Sequence, residues 1–129
     1  MASSPYFVNP MTFAVGNLAT GESYVSFAEG TSTINKVIEN GLKKIIQRIL
    51  ASIHQGFTPK KIRIIGYGNG WKGSGIGAGK MGDARAQAIY NYLKDKNIPT
   101  NILQIDKSPG RLDKSNESTN RRVRILVEG

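Results

Sequence analysis

The chain has 129 residues, of which 39% are hydrophobic, and this length is enough for one compact domain with its own core. It contains no cysteine, which excludes disulfides, thiolate zinc sites and cysteine nucleophiles, and no apolar run approaches the roughly 20 residues of a membrane-spanning helix. With 18 basic against 9 acidic side chains and a formal net charge of +9, the surface should attract anions such as nucleic acid, acidic lipid or an acidic cell-wall polymer.

The N-terminal stretch has no clear core element. Residues 1–21 contain short apolar runs that are broken by Pro10 and by Gly16-Asn17, and we interpret them as an N-terminal extension ahead of a domain at residues 22–129. The first residues lack the pattern of a secretory signal peptide. Alternation at residues 24–27 predicts the first strand, and Thr31 or Ser32 is predicted to cap the helix that follows.

An amphipathic helix is the clearest element of the sequence. Its outer face is basic, and Gly56 and Pro59 mark its C-terminal end. The apolar side chains recur at three- and four-residue spacing and form one stripe, which consists of Ile34, Val37, Ile38, Leu42, Ile45, Ile46, Ile49, Leu50 and Ile53. The basic face consists of Lys36, Lys43, Lys44 and Arg48.

A strand, a glycine-rich loop and a second helix form the central unit. The pattern predicts a buried strand at 61–67, a loop at 68–82 and a helix at 83–96. In α/β proteins, ligands bind in the crevice at the carboxyl end of such a strand. Asn69 lies at the predicted exit of the strand and Arg85 in the first turn of the predicted helix, so both are candidate binding residues.

The C-terminal part completes a β-α-β-α-β-β order. A strand is predicted at 102–105, a polar loop at 106–120 and a last strand at 121–127. In the last strand, Val123 and Ile125 point to one face while Arg122 and Arg124 point to the other. We expect an α+β domain, a two-layer α/β sandwich in which the helices cover one face of a mixed sheet.

Neither nucleotide binding nor catalysis has a convincing motif. Residues 68–73 and 77–82 both match GxGxxG, but the first lies too far from the predicted helix and the second too far from the strand. His54, the only histidine, is predicted at a helix end, where it favours the helix dipole. Metal-ligand spacing and a nucleophile elbow are both absent from the sequence. We therefore expect that the protein is not an enzyme and uses no cofactor or metal.

Five segments, in order and with similar spacing, resemble the OmpA C-terminal-like domain family. They cover roughly residues 22–128. The segments are Tyr24-Val25-Ser26-Phe27 with Gly30-Thr31 and Ile34, Ile64-Ile65-Gly66-Tyr67-Gly68-Asn69, residues 81–93, Asn97-Ile98-Pro99, and Asn120-Arg121-Arg122-Val123-Arg124-Ile125.

The resemblance implies a periplasmic module that anchors an envelope protein or complex to peptidoglycan without covalent bonds. It assigns Arg85 to the carboxylate of diaminopimelate in the stem peptide, and Asn69 to its ammonium. Gly68 stands where the family has threonine, and Arg121 and Arg122 match positions that line or brace the same crevice. The implied location is the periplasm, with tethering to the outer or inner membrane, as in a lipoprotein, by a segment missing from this chain.

The sequence departs from the family pattern at the part of the implied site that would bind the ammonium. The family aspartate is replaced by Asn69, and losing a charge-assisted hydrogen bond costs about 1.5–3 kcal/mol. Asp83 is a candidate for a compensating carboxylate. Trp71, in the loop, is a candidate for stacking on a sugar, although it is equally suited to folding back over the glycines beside it.

Two other functions remain open at this point. The first is an OmpA-like scaffold with weakened or lost wall binding that contacts proteins of an envelope assembly such as a secretion system. The second is nucleic-acid binding through the basic helix face, which the lack of clustered aromatic or arginine-rich segments disfavours. We therefore expect peptidoglycan, with or without envelope proteins, as the partner.

Overall fold

The computed structural model describes residues 21–28, 30–68, 77–110 and 121–129. Its elements follow the predicted order and are β1 (Gly21–Ser26), α1 (Lys36–His54), β2 (Lys61–Tyr67), α2 (Ala78–Asp95), a short helical turn (Thr100–Ile102), β3 (Leu103–Gly110) and β4 (Arg122–Glu128). The predictions for residues 1–20, Asn69 and Trp71 lie outside the described residues.

The four strands form one mixed sheet in the order β1-β4-β2-β3. β4 lies between β1 and β2 and is antiparallel to both, whereas β2 and β3 are parallel. A parallel pair needs a crossover connection, and α2 supplies it. Because β2 and β3 are parallel, their carboxyl ends lie at the same edge of the sheet.

The helices cover one face of the sheet, as the sequence predicts. Inward-facing strand residues such as Ile64, Val123 and Ile125 are fully buried and share one core with residues of both helices, such as Ile49 and Ile89. The alternate strand residues point to the other face, which we call the outer sheet face. The α+β two-layer arrangement is confirmed.

Helix α1 buries most of the predicted stripe, but Val37 is exposed and the helix cap differs from the prediction. Asn35, and not Thr31 or Ser32, is the N-cap, since its side-chain Oδ1 accepts a hydrogen bond from the backbone N–H of Ile38 at 2.9 Å. Thr31 instead closes a turn by donating to the carbonyl of Ala28. The chain leaves the helix through Gly56, whose φ of +90° is a left-handed conformation that favours glycine.

Three boundaries differ from the prediction by more than two residues. Strand β1 begins at Gly21 and not at residue 24, so it includes the last residue of the predicted N-terminal extension. The other two differ because residues that look like loop pack against the sheet. Helix α2 begins at Ala78 and not at residue 83, so Arg85 lies in the second turn and the predicted first-turn position is wrong. Strand β3 continues to Gly110, so residues 106–110 of the predicted polar loop belong to the sheet. Pairing with β2 explains this extension, because Tyr67 is opposite Gly110.

A contact between two glycines brings the start of α2 against β2. A Cβ atom on Gly66 would overlap the carbonyl oxygen of Gly82, and one on Gly82 would lie 2.5 Å from the carbonyl oxygen of Gly66. Ser108 completes this contact by donating its buried hydroxyl to the Gly66 carbonyl at 2.6 Å. Packing of the two backbones therefore compensates for the poor helix propensity of glycine at position 82.

Candidate functional site

The candidate site lies at the carboxyl end of β2, where the guanidinium of Arg85 binds three backbone carbonyl groups. Its Nη1 donates to Tyr67 at 3.0 Å, its Nε to Thr31 at 2.8 Å and its Nη2 to Ala28 at 3.4 Å. Tyr67 ends β2, whereas Ala28 and Thr31 belong to the segment between β1 and α1. Arg85 therefore holds the chain that follows β1 against the end of β2.

Arg85 is also a deeply buried cation. Only 1% of the residue is exposed, and its guanidinium carbon lies 5.7 Å from the centre of the Phe27 ring. Burial lowers the pKa of Arg85 to about 10, and the nearby positive charge of Arg121 contributes to the same shift. The group stays charged at neutral pH, in surroundings that would favour an incoming negative charge.

Arg121 brings a second guanidinium to the same segment. It directly precedes β4, and its Nε donates to the carbonyl of Phe27 at 3.3 Å. A backbone hydrogen bond joins the same two residues, in which the N–H of Phe27 donates to the carbonyl of Arg121 at 2.6 Å. Arg121 is partly exposed, so it is the more accessible of the two cations. Two cations beside one backbone segment can receive an acid group through charge-assisted hydrogen bonds.

The glycine-rich loop enters the site at Gly68. Gly68 is buried, and its backbone N–H donates to the carbonyl of Gly110 at 2.9 Å. That bond extends the pairing of β2 with β3, so this N–H is engaged within the sheet. The structure thus brings Gly68 next to Tyr67 and Arg85, while Asn69 and Trp71 follow it in the part that is not described.

Arg122 is separated from this site by the sheet. It follows Arg121 directly, and strand alternation turns its side chain to the outer sheet face, opposite Val123 in the core. There its guanidinium lies 5.7 Å from the centre of the Tyr24 ring. The structure therefore does not bring Arg122 together with Arg85, in contrast to the position that the resemblance implies.

Asp83 has a structural partner on β3. Its Oδ1 accepts a hydrogen bond from the backbone N–H of Ser108 at 3.0 Å, and this bond ties α2 to the end of the sheet. Ser108 is a residue that the sequence did not single out. It lies in a stretch of polar residues that read as a loop, and no local signal distinguishes it from the other serines there.

A cluster of metal ligands and a membrane-spanning helix are both absent from the described residues. No group of three or more His, Cys, Asp or Glu side chains in residues 21–28, 30–68, 77–110 and 121–129 could hold a metal ion. His54 ends α1, as predicted. Within the same part of the chain, neither helix combines the length and hydropathy needed to cross a bilayer.

Solved structures of OmpA-like domains are similar to this chain. The OmpA-like domain of FopA1 from Francisella tularensis subsp. tularensis SCHU S4 superimposes with a TM-score of 0.68 at 20% identity, covering 97% of this chain and 84% of that one. The peptidoglycan-associated lipoprotein from Burkholderia pseudomallei superimposes with a TM-score of 0.60 at 17% identity, covering 81% of this chain and 89% of that one. The cell wall anchor of the T6SS from Pseudomonas aeruginosa superimposes with a TM-score of 0.66 at 15% identity, covering 84% of this chain and 80% of that one.

These similarities confirm the OmpA-like fold that the five sequence segments predict. No protein-family model matches the chain, and no curated protein sequence matches it. At 15–20% identity, the three structures carry information on the fold alone.

Proposed function

We propose that this OmpA-like domain binds the bacterial cell wall without covalent bonds. The observation that carries the proposal is the convergence of Arg85 and Arg121 on the backbone carbonyls of Phe27, Ala28 and Thr31 at the carboxyl end of β2. Peptidoglycan stem peptides offer carboxylates to such a receptor. An excess of 18 basic over 9 acidic side chains favours approach to an acidic wall.

The finer proposal is that the ligand group is the carboxylate of diaminopimelate. Arg121, which is partly exposed, contacts this carboxylate first. Arg85 supplies a buried positive charge behind it, and direct contact with Arg85 requires the segments around its guanidinium to separate, because only 1% of Arg85 is exposed. Asn69 accepts a hydrogen bond from the ammonium at the other end of the ligand, as the sequence resemblance implies.

The similar structures support the same class of function. Among them are a peptidoglycan-associated lipoprotein and a cell wall anchor of a secretion system. By analogy, this chain acts in the periplasm as an anchor for an envelope protein or complex. It performs no chemistry on the wall, and its partner is peptidoglycan, with or without other envelope proteins. Tethering to the outer or inner membrane belongs to the same proposal.

A scaffold without wall binding is the second candidate function. The hydrogen bonds of Arg85 to Tyr67, Ala28 and Thr31 favour it, because they give this arginine a structural task that needs no ligand. In that case the domain would contact proteins of an envelope assembly. Sedimentation with purified peptidoglycan separates the two functions, since a scaffold of this kind stays in the supernatant.

Two neighbouring arginines provide a matched test of the proposed site. Arg121→Gln and Arg122→Gln remove the same charge from adjacent positions that face opposite sides of the sheet. We expect Arg121→Gln to weaken co-sedimentation with peptidoglycan about tenfold or more, because a charge-assisted hydrogen bond is lost. Arg122→Gln should bind like the wild type. Equal loss in both variants would contradict the site and indicate attraction by net charge alone.

A second prediction concerns the departure from the family at position 69. Asn69→Asp restores a carboxylate for the ligand ammonium, and we expect it to tighten peptidoglycan binding about tenfold or more. Isothermal titration with a soluble stem peptide that contains diaminopimelate measures the change. The matched control is a stem peptide with lysine in place of diaminopimelate, which lacks the carboxylate for Arg121. Unchanged affinity of Asn69→Asp would place residue 69 outside the binding site.

A further inference from the structure

The solvent-facing side of α1 is a strongly basic surface. Lys36, Lys43, Lys44 and Arg48 are all exposed and lie on the side of the helix opposite its buried apolar stripe. The helix contains one acidic residue, Glu39, at the border of this face. Since Glu39 accepts a hydrogen bond from the Tyr92 hydroxyl at 3.2 Å, its carboxylate is directed toward α2. The helix therefore directs no carboxylate into this face.

The fold fixes this basic surface in one orientation. Ile38, Leu42 and Ile49 are completely buried against the sheet, so the helix cannot rotate about its axis without exposing them. A helix of 19 residues presents a straight edge about 28 Å long. Such a rigid edge suits a flat, extended anionic partner better than a small ligand, which would need a concave pocket.

Two exposed apolar side chains lie at the two ends of α1. Val37 and Phe57 are each 41% exposed, and they are the large hydrophobic residues with this exposure among the described ranges. Val37 lies in the first turn of α1, and Phe57 follows directly after the C-terminal end of the helix. An apolar side chain beside lysines is the composition of surfaces that insert into the boundary between lipid headgroups and acyl chains.

We propose that the basic side of α1, with Val37 and Phe57 at the two ends of the helix, docks on a bilayer surface that contains anionic phospholipid. The lysine ammonium groups are point charges that attract phosphate headgroups without a fixed geometry, and the apolar side chains enter the layer beneath them. Nucleic acid fits less well, because Val37 and Phe57 would gain nothing from a phosphodiester backbone. Membrane contact is a function beyond wall binding, and it uses a surface that includes neither Arg85 nor Arg121.

Vesicle binding by the whole chain tests this proposal. We expect co-sedimentation with vesicles that mix phosphatidylglycerol and phosphatidylcholine, and none with phosphatidylcholine alone. The double variant Lys43→Gln/Lys44→Gln should lower the partition coefficient by about fivefold per lysine removed. The variant Lys80→Gln/Lys107→Gln loses the same charge from exposed positions on α2 and β3 and should bind like the wild type. Phe57→Ser should weaken binding while leaving the charge unchanged.

Three results would overturn the proposal. The first is that the chain does not bind vesicles that contain phosphatidylglycerol. The second is that the two double variants lose vesicle binding equally. The third is that duplex DNA displaces the vesicles by binding through Lys43 and Lys44. Peptidoglycan sedimentation of the same variants keeps this test separate from wall binding. Lys43→Gln/Lys44→Gln should still bind the wall as well as Lys80→Gln/Lys107→Gln does, whether or not the vesicle result is positive.

Discussion

Gly82→Ala is expected to lower the free energy of unfolding by about 3 kcal/mol or more, the upper range for overpacking a core. An alanine Cβ at this position would lie 2.5 Å from the Gly66 carbonyl oxygen and would overlap the buried hydroxyl of Ser108. Neither neighbour can withdraw easily, because one is strand backbone and the other holds two hydrogen bonds. The start of α2 would have to move away from β2. Urea denaturation followed by circular dichroism measures the loss.

Gly79→Ala is the matched control for this prediction. It is the same substitution in the same helix, three residues earlier, where an added Cβ meets no atom within 4 Å. It should stabilise the protein by up to about 1 kcal/mol, because alanine has the higher helix propensity. The two variants are therefore expected to change stability in opposite directions. A stable Gly82→Ala protein would contradict the close packing of α2 on β2.

Arg85→Met should destabilise the domain by about 2–4 kcal/mol, because carbonyl groups that the guanidinium satisfies would lose their partner. The carbonyl of Tyr67 is the most affected, since its hydrogen bond with Arg85 is buried, whereas those of Thr31 and Ala28 are only partly buried. Methionine fills a similar volume, so the loss reports on hydrogen bonds more than on packing. The midpoint of urea denaturation, at an unchanged slope, measures the effect.

Arg63→Met separates this effect from the loss of an arginine in general. Arg63 forms a salt bridge with Asp106 at 2.6 Å on the outer sheet face, where the two side chains are 39% and 17% exposed. A pair this accessible to solvent contributes under about 1 kcal/mol, so the control variant should be close to wild type in stability. Comparable losses in both variants would argue against a special structural task for Arg85.

A loss of wall binding in Arg85→Met would not by itself show that Arg85 contacts the ligand. If Arg85→Met loosens the segment between β1 and α1, wall binding would fall together with stability. Arg121→Gln avoids this difficulty, since Arg121 is partly exposed and makes one weak bond through Nε, to Phe27 at 3.3 Å. Measuring both stability and sedimentation with peptidoglycan for each variant shows whether the arginine binds the ligand or only stabilises the fold.

Much of the fold was predictable from local pattern. The three- and four-residue spacing from Ile34 to Ile53 predicted α1, and the apolar residues from Ile62 to Tyr67 predicted β2 with the bounds that the structure has. Alternation around Val123 predicted β4 within one residue at each end. These signals are reliable because burial against one flat layer imposes a periodicity on the sequence itself.

The candidate site was predictable only in part. The sequence identified Arg85 and Arg121 as site residues, and the structure brings Arg85 to Thr31 and Arg121 to Phe27 in the same segment, although their binding roles stay predictions. Neither the backbone carbonyls that surround Arg85 nor the hydroxyl of Ser108 had a signal in the sequence. Backbone groups are present at every residue, so composition cannot reveal which of them will meet a particular side chain.

The sequence by itself therefore determined the kinds of elements, their order and the faces that they bury. The tertiary structure alone decided where α2 begins, how far β3 extends, and that the sheet separates Arg122 from Arg85. Periodicity is a local property that each segment carries in its own residues. The contact of Gly66 with Gly82, and the meeting of two arginines at one backbone segment, depend on chain parts that are distant in sequence and come together only when the sheet forms.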